Sequence, residues 1–285
     1  MSNNINKTGV IGNPIEHSLS PEIHNYWIKQ NQLKTEEYQK IKLDIDNLES
    51  QVGELIKNKF FGLNVTIPFK EELYRFCDDV SGTAKKLKAI NTITCNNGKV
   101  FGTNTDPDGF INSLSNQIKN ANITNKNALV IGAGGSSRSI IYALNKMGAH
   151  VTLVNRTFKK SEQIVRDLNI EMQIENFESI NKLVSGCDLI VNTTPLGMTG
   201  HKNIEIDFVN SKPNLHVYDL VYNPIETKLL KDAKDNNKTC QNGLDMLVYQ
   251  AAESFKIWHG IYPVSYTHLR AHETSLHLVC RLLLE

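Results

Sequence analysis

Two ionisable residues lie in polar clusters whose composition suits proton transfer. Lys70 ends the run Asn64-Val-Thr-Ile-Pro-Phe-Lys70, and Asp106 lies within Gly102-Thr-Asn-Thr-Asp-Pro-Asp-Gly109. Both runs follow predicted strands and otherwise supply hydroxyls and carboxamides, which suit a polyhydroxylated substrate. A lysine and an aspartate can hold a substrate hydroxyl and pass its proton during hydride transfer. The sequence therefore predicts Lys70 and Asp106 as a catalytic pair.

Plainer interpretations of these residues stay open at this point. Lys70 could be an ordinary solvated lysine, and Asp106 directly precedes a proline, which makes it a good helix N-cap. Ser18 and Ser20 lie in Asn13-Pro-Ile-Glu-His-Ser-Leu-Ser-Pro21. Ser20 could cap a helix that begins at the following proline, and capping does not exclude contact with a ligand.

A glycine-rich turn predicts a second kind of site. The run Ala128-Leu-Val-Ile-Gly-Ala-Gly-Gly-Ser-Ser-Arg138 passes from an apolar strand through a turn into a helix pattern. Gly132 allows a tight turn, Gly134 lets backbone N–H groups approach a pyrophosphate, and Ser137 replaces the third glycine of the dinucleotide motif. A helix opening at Ser136 would direct its positive end at the phosphates.

The next strand indicates which dinucleotide would bind. Val151-Thr-Leu-Val-Asn-Arg-Thr157 ends without the acidic residue that usually reads the ribose 2′-hydroxyl of NAD. It is followed instead by cations, Arg156, Lys159 and Lys160, which favour a 2′-phosphate. We therefore expect NADP. The presence of strand, helix and basic second strand together argues against an ordinary glycine-rich turn.

The elements that must position these residues alternate between strands and helices. Residues 8–12, 37–43 and 60–65 predict strands, with helices at 21–32 and 44–57. Two further strands, 91–95 and 99–103, flank Asn96-Asn-Gly98, a type I′ hairpin signal. A helix is predicted from Pro107 to about Lys119, and strands at 187–192 and 216–220 continue the second sheet.

This pattern predicts an α/β protein of two α/β domains with a cleft between them, the second a Rossmann-type doubly wound parallel sheet. We expect a substrate-binding catalytic domain at 1–105, completed by a C-terminal helix within 243–263, and a nucleotide-binding domain at 106–242. The polar linkage falls near residues 104–126.

Composition narrows the class of partner. The 285 residues are 40% hydrophobic and 21% charged, with a formal net charge of +1. Such a chain has no basic field for nucleic acid or a membrane surface, so we expect a small-molecule partner. Five scattered cysteines without metal-ligand spacing predict neither a disulfide framework nor a metal site. Without an apolar signal or membrane-spanning run, a cytoplasmic protein is expected.

The final segment differs in composition from the rest. From Ser265 to Glu285 the chain turns from Lys, Asn and Ile to His, Leu and Arg. It resembles read-through of cloning adapter sequence, so we predict a non-native tail without a role in the site. A genuine amphipathic terminal helix is the alternative.

The chain resembles the shikimate dehydrogenase family over residues 8 to about 263. The resemblance implies reversible, NADPH-dependent reduction of 3-dehydroshikimate to shikimate, in chorismate and aromatic amino-acid biosynthesis. We expect a monomer or homodimer. Besides the runs quoted above, it rests on Ala89-Ile-Asn-Thr-Ile93, Asn155-Arg-Thr157, Asn192-Thr-Thr-Pro-Leu-Gly-Met198, Asp219-Leu-Val-Tyr-Asn-Pro224 and Gly243-Leu-Asp-Met-Leu-Val-Tyr-Gln-Ala-Ala252.

The resemblance also implies roles for individual residues. Lys70 would be the acid/base held by Asp106. The substrate would be bound by Ser18, Ser20, Thr66, Asn91, Asp106, Tyr222 and Gln250. The cofactor would be lined by Gly132, Ala133, Gly134, Gly135, Ser136, Asn155, Arg156, Thr157, Lys160, Thr193, Leu220 and Gly243.

Two departures and two alternatives accompany the resemblance. Lys88 stands where the family commonly has glycine, and the foreign-looking tail replaces the usual final helix. A broader quinate/shikimate dehydrogenase would differ in cofactor and substrate, and Lys159 and Lys160 speak against its NAD-using type. A non-catalytic sensor of a cyclitol acid would not need the retained Lys70, Asp106 and glycine turn.

Overall fold

The computed structural model describes residues 6–117 and 122–263, so the predicted non-native tail lies outside the described residues. The chain divides into two units between Thr105 and Asp106. The second unit ends at Leu247, and from Val248 the chain belongs to the first unit again. The division therefore falls inside the last described helix rather than before it.

The first unit is built on a mixed sheet. Its elements in chain order are β1 (Lys7–Gly12), α1 (Ser20–Gln30), β2 (Gln39–Lys42), α2 (Leu48–Lys57), β3 (Phe60–Val65), β4 (Asp79–Val80), α3 (Gly82–Leu87), β5 (Thr92–Asn96) and β6 (Lys99–Thr103). Within the described residues the strand order is β2-β1-β3-β5-β6-β4. The pairs β3/β5 and β5/β6 are antiparallel, and the other neighbours are parallel.

The second unit is a doubly wound parallel sheet. Its elements are α4 (Asp106–Gln117), β7 (Asn127–Ile131), α5 (Gly135–Lys146), β8 (His150–Asn155), α6 (Phe158–Leu168), β9 (Gln173–Asn176), α7 (Ile180–Leu183), β10 (Leu189–Asn192), β11 (His216–Asp219), α8 (Lys228–Asp235) and β12 (Thr239–Asn242). The order β12-β11-β10-β7-β8-β9 is parallel throughout the described strands. This confirms the predicted fold class.

Burial of the central strand explains its continuous apolar sequence. In β7, Ala128 and Val130 pack into the core on one face of the sheet, while Leu129 and Ile131 pack into the core on the other. Helices cover both faces of such a parallel strand, so neither face needs polar residues. All four side chains are buried.

The helix α9 (Leu244–His259) connects the two units along the chain. Near its end Trp258 donates its indole N–H to the carbonyl of Ile93 in β5, at 3.0 Å. A Cβ at Gly62 in β3 would lie 2.6 Å from the Trp258 ring. The last turns of α9 are thus packed directly on the sheet of the first unit.

Local differences from the predicted elements are small. The Asn96-Asn-Gly98 hairpin is confirmed, since Asn97 and Gly98 both have positive φ, at 49° and 77°. The helix predicted from Pro21 begins one residue earlier, at Ser20. The helix predicted from residue 44 begins instead with a short 3₁₀ turn, Ile45–Asn47, before α2.

None of the helices described here is long and apolar enough to cross a membrane.

Candidate active site

The glycine turn after β7 has the backbone that the sequence predicts. Gly132 has φ +108°, a backbone conformation that residues with a Cβ rarely adopt. Its N–H donates to the Val154 carbonyl at 2.8 Å. A Cβ at Gly132 would lie 2.6 Å from Cγ2 of Thr194. Only glycine therefore fits this position without displacing the facing loop.

The helix that follows the glycine turn has its amino-terminal end at this turn. Helix α5 begins at Gly135 with Gly134 as N-cap, one residue before the predicted start at Ser136. The Ser137 side chain is buried and donates to the Gly134 carbonyl at 2.6 Å, which ties the first turn to the loop. Among the residues that the structure describes, no atom outside the turn lies within 4 Å of a Cβ built at Gly134.

The backbone of this turn fits a pyrophosphate. The first N–H groups of a helix have no intrahelical acceptor, and the helix dipole favours negative charge there. The open space around Gly134 lets a ligand approach the backbone closely. Gly134, Gly135 and Ser136 are thus suited to hold the phosphates of a dinucleotide, with Ala133 beside them in the turn.

The predicted cations lie at the connection between β8 and α6. Arg156, Lys159 and Lys160 are all exposed. Asn155 donates its side-chain amide to the Thr157 carbonyl at 2.9 Å, and Thr157 is the N-cap of α6. The three cations and an amino-terminal helix end therefore occupy one short segment, which suits a dianionic phosphate ester.

Three other predicted cofactor residues lie along the carboxyl edge of the same sheet. Thr193 donates its N–H and its hydroxyl to the Ile131 carbonyl, at 2.9 and 2.7 Å. Leu220 donates its N–H to the Asn192 carbonyl at 3.0 Å. A Cβ at Gly243 would lie only 2.0 Å from the Leu220 carbonyl oxygen, so this position requires glycine. The structure brings Gly132 and Thr193, and likewise Leu220 and Gly243, into direct contact.

The serines after β1 are placed by the start of α1. The N-cap of α1 is Leu19, so the interpretation of Ser20 as N-cap is wrong. Ser20 is buried and hydrogen-bonds the Tyr38 phenol, whereas Ser18 is half-buried and its Oγ accepts from the Ser20 N–H at 3.3 Å.

Asn91 and Gln250 are joined although 159 residues separate them in sequence. Asn91 is 2% exposed, and its Nδ2 donates to Gln250 Oε1 at 3.2 Å. Its Oδ1 accepts from the Thr105 N–H at 2.8 Å and from the Thr92 hydroxyl at 2.9 Å. The Thr105 hydroxyl donates to the Gln250 carbonyl at 3.0 Å. Asn91, Thr92, Thr105 and Gln250 thus form a buried network of polar side chains joined by hydrogen bonds, which we call the polar surface.

Tyr38 and Asn64 extend this polar network and were not predicted as site residues. Tyr38 donates its hydroxyl to Asn64 Oδ1 at 2.7 Å, and Asn64 Nδ2 donates to the Asn91 carbonyl and to Ser254 Oγ at 3.1 and 2.9 Å. Burial raises the pKa of Tyr38 well above its ordinary value, so the phenol stays a donor. A polar Asn64 inside the apolar strand Phe60–Val65 was the available signal.

The predicted catalytic residues belong to different units. Lys70, in the turn after β3, is half-buried, and its carbonyl accepts from the Ile90 N–H at 2.9 Å. Thr66, four residues earlier, is half-buried and donates its N–H to the Ile11 carbonyl at 3.0 Å.

Asp106 is the first residue of α4 and is only 4% exposed. A carboxylate in the first turn of a helix is favoured by the helix dipole. Tyr222, half-buried, follows β11 in the second unit.

Family models match most of the chain in three parts. They are described as shikimate dehydrogenase substrate binding domain, shikimate / quinate 5-dehydrogenase and shikimate 5'-dehydrogenase C-terminal domain, and they match residues 10–93, 113–212 and 243–263. The first and last matches fall largely on the unit that carries Lys70, and the second falls on the parallel sheet with the glycine turn.

Individual relatives agree with these matches. A shikimate dehydrogenase (NADP(+)) of Pelagibacter ubique is 39% identical over 255 residues, 89% of this chain and 93% of its own. The crystal structure of shikimate dehydrogenase from Aquifex aeolicus is similar with a TM-score of 0.84 and 37% identity, covering 96% of this chain and 100% of its own.

A third similar protein was solved with ligands bound. Shikimate 5-dehydrogenase from Thermus thermophilus, in complex with NADP(H) and shikimate, has a TM-score of 0.79 and 30% identity, over 91% of this chain and 95% of its own. Family models, sequence relatives and solved structures thus agree along nearly the whole described length. The chain belongs to the shikimate dehydrogenase family.

Proposed function

We propose that this protein catalyses the reversible reduction of 3-dehydroshikimate to shikimate with NADPH. The observation that carries the proposal is the glycine turn at Gly132, followed by α5 and by the cations after β8, in a chain whose other unit buries a polar surface. The Pelagibacter ubique relative is named as NADP(+)-dependent, and the Thermus thermophilus enzyme was solved with NADP(H) and shikimate.

The nucleotide is assigned to the second unit. Its pyrophosphate is held by the backbone from Gly132 to Ser136, and its 2′-phosphate by Arg156 and Lys160 with the segment around Asn155 and Thr157. Thr193, Leu220 and Gly243 line the remainder of the groove. The cofactor, when bound, supplies or accepts a hydride.

The substrate is assigned mainly to the polar surface of the first unit. Ser18, Ser20 and Thr66 present hydroxyls, and Asn91 and Gln250 present carboxamides, to the hydroxyl and carboxylate groups of shikimate. Tyr222 from the second unit contributes a phenol. The internal hydrogen bonds of Asn91 hold its amide in one orientation, so the site does not have to order it when substrate binds.

Lys70 and Asp106 are assigned to the proton. In the direction of reduction the Lys70 ammonium donates a proton to the oxygen that develops charge at the substrate carbonyl, and in the reverse direction the amine takes it back. Asp106 keeps Lys70 and the substrate hydroxyl oriented. Asp106 lies in the first turn of α4, at the positive end of the helix dipole, which suits a carboxylate in this role.

Two finer assignments concern the compartment and the assembly. We propose a cytoplasmic protein that acts as a monomer or homodimer. The described cysteines, Cys77, Cys95, Cys187 and Cys240, are free thiols, which suits a reducing compartment. Sedimentation of the purified protein would measure the assembly.

Product analysis tests the proposed function against a sensor that binds without turnover. Purified protein is incubated with shikimate and NADP⁺, and both 3-dehydroshikimate and NADPH are quantified. The proposal expects the two products in equal amounts, accumulating over many turnovers. Binding of shikimate without either product would make the protein a sensor and contradict the proposal.

A further inference from the structure

A buried carboxylate in the second unit has no role in the proposed chemistry. Asp219, the last residue of β11, is 0% exposed. Its Oδ1 accepts from Asn192 Nδ2 at 2.8 Å and from the Val221 N–H at 3.1 Å, and its Oδ2 accepts from the Thr227 hydroxyl at 2.6 Å. These partners are all neutral donors.

Burial disfavours the ionised form of the Asp219 side chain. Desolvation raises the pKa of Asp219 above its ordinary value, although its hydrogen bonds with Thr227, Val221 and Asn192 oppose the shift. Because the three groups all donate, the ionised carboxylate can accept from all of them at once. Burial thus disfavours the charge, and the three donors offset part of that effect.

The hydrogen bonds lead from Asp219 into two loops. We name residues 193–198 the threonine loop and residues 220–227 the Leu220 loop. Asn192, which joins the first loop to β10, donates to both Asp219 and the Leu196 carbonyl. With its amide nitrogen fixed in this way, Asn192 Oδ1 accepts from the Thr194 N–H at 3.0 Å and from the Thr194 hydroxyl at 2.7 Å.

Both loops carry proposed cofactor contacts. In the threonine loop, Thr193 and Thr194 lie against Gly132, where a Cβ would approach them to 2.8 and 2.6 Å. In the Leu220 loop, Thr227 closes the far end by bonding Asp219, and Leu220 contacts Gly243 at the near end. The Asp219 carboxylate therefore holds both loops that form this part of the proposed cofactor groove.

We propose that Asp219 is a positioning residue for the nucleotide, whose carboxylate holds the threonine loop and the Leu220 loop in the form that receives the cofactor. The proposal rests on the proposed binding of NADP to the second unit. It concerns the part of the groove built from the two loops, and it does not involve the cations after β8.

This location predicts a distinct binding signature. Loss of the carboxylate should weaken NADP⁺ and NAD⁺ by the same factor, because the loops do not read the 2′-phosphate. In Asp219→Asn one carboxylate oxygen becomes an amide NH₂ group. That group either faces one of the three donors without a hydrogen bond or donates to the Thr227 hydroxyl instead of accepting from it. Loss of a hydrogen bond to a charged group corresponds to about a tenfold rise in Kd.

Calorimetric titration of the purified protein with NADP⁺, and separately with NAD⁺, measures this directly. The matched control is Asp188→Asn. Asp188 immediately precedes β10, at the amino-terminal ends of the same parallel strands, whereas Asp219 lies at their carboxyl-terminal ends. It accepts from the Asn127 N–H at 2.9 Å and forms an ion pair with Lys212. The Asp188→Asn variant should have a lower melting temperature, and its Kd values for NADP⁺ and NAD⁺ should equal those of the wild type.

A second pair of variants covers a failure of Asp219→Asn to fold. Thr227→Val removes the hydroxyl at nearly constant shape and should weaken both nucleotides, whereas Thr227→Ser keeps the hydroxyl and should restore binding. In every folded variant the KM for shikimate should change less than the KM for NADP⁺, because Tyr222 is the only proposed substrate contact in either loop.

Each other outcome overturns the proposal. Wild-type affinity in Asp219→Asn or, should that variant not fold, in Thr227→Val would remove Asp219 from the groove. An equal loss in Asp188→Asn would mean general loosening of the sheet, and a loss confined to NADP⁺ would mean an effect on the 2′-phosphate. Failure of the wild type to bind NADP⁺ would instead contradict the proposed function itself.

Discussion

At the scale of single residues, the proposed chemistry depends on one amine. Lys70→Ala should lower kcat by about 10²–10⁴-fold, the usual contribution of a positioned acid/base, while shikimate binding changes little. Steady-state kinetics and a shikimate titration measure the two effects. Lys99→Ala, at an exposed lysine of the hairpin in the same sheet, is the matched control.

Near-wild-type turnover of Lys70→Ala would remove Lys70 from the mechanism. Asp106→Asn should also lower kcat, and the double variant should lose less than the product of the two single effects, because the pair acts as one unit.

A second residue-scale prediction concerns cofactor choice. Arg156→Ala should raise the KM for NADP⁺ far more than the KM for NAD⁺, since a guanidinium makes charge-assisted bonds to a 2′-phosphate that NAD⁺ lacks. The preference should fall by about 10- to 100-fold. Arg166→Ala, in the last turn of α6, should leave the preference unchanged. Equal losses for the two cofactors would rule out this role of Arg156.

At the scale of elements, the contact between α9 and the first sheet depends on a glycine. Gly62→Ala would place a Cβ 2.6 Å from the Trp258 ring, which also holds the Ile93 carbonyl. A rigid indole cannot move aside cheaply, so the free energy of unfolding should fall by about 1–3 kcal/mol. Gly53→Ala, in the interior of α2 with open space around its Cβ, should instead raise it by about 0.5–1 kcal/mol.

Urea unfolding of the two alanine variants gives both values. Destabilisation of similar size in both would show that helix propensity and steric contact have been assigned wrongly at these positions.

Elements with strong apolar patterning were predictable from sequence, and the polar edge strands of the second sheet were not. The strand Lys99–Thr103 and its Asn97-Gly98 turn match the prediction because alternation and turn chemistry agree there. The strands β9 and β12 were missed. They form the two edges of the second sheet, where one side has no neighbouring strand among the described residues. Their sequences, Gln173–Asn176 and Thr239–Asn242, are mostly polar.

The candidate site was predictable as a set of residues but not as a network. The glycine turn and the cations after β8 follow from local sequence, because the chemistry and the backbone requirement are local. The contact of Asn91 with Gln250 and that of Tyr38 with Asn64 join distant parts of the chain. Pairing of this kind is set by sheet order and by the return of α9, which periodicity does not reveal.

At the scale of the whole molecule, a buried histidine should limit stability in acid. His24 is 1% exposed, its ring stacks on Tyr38 at 4.2 Å, and neither ring nitrogen has a hydrogen-bond partner among the described residues. Burial, with a smaller effect of His259, lowers the pKa of His24 from 6.5 to about 3. The unfolded chain therefore binds a proton at mildly acidic pH that the folded chain does not.

The sign of the effect follows from this difference in proton binding. The contribution of His24 to the free energy of unfolding is complete above its ordinary pKa and falls by about 1.4 kcal/mol per pH unit as the pH drops towards the folded pKa. His24→Phe should remove this part of the acid dependence, and exposed His201→Asn should not. Urea unfolding between about pH 7 and about pH 5 measures it. Parallel pH dependences of the wild type and His24→Phe would contradict the assignment.

The most direct test of the whole account is a comparison of four values of kcat/KM, for shikimate and quinate, each with NADP⁺ and with NAD⁺. The described cations after β8 and the retained Lys70 predict the highest value for shikimate with NADP⁺, and a clear loss when either the substrate or the cofactor is exchanged. A value for quinate with NAD⁺ that equals or exceeds it, or the lack of turnover in all four combinations, would contradict the account.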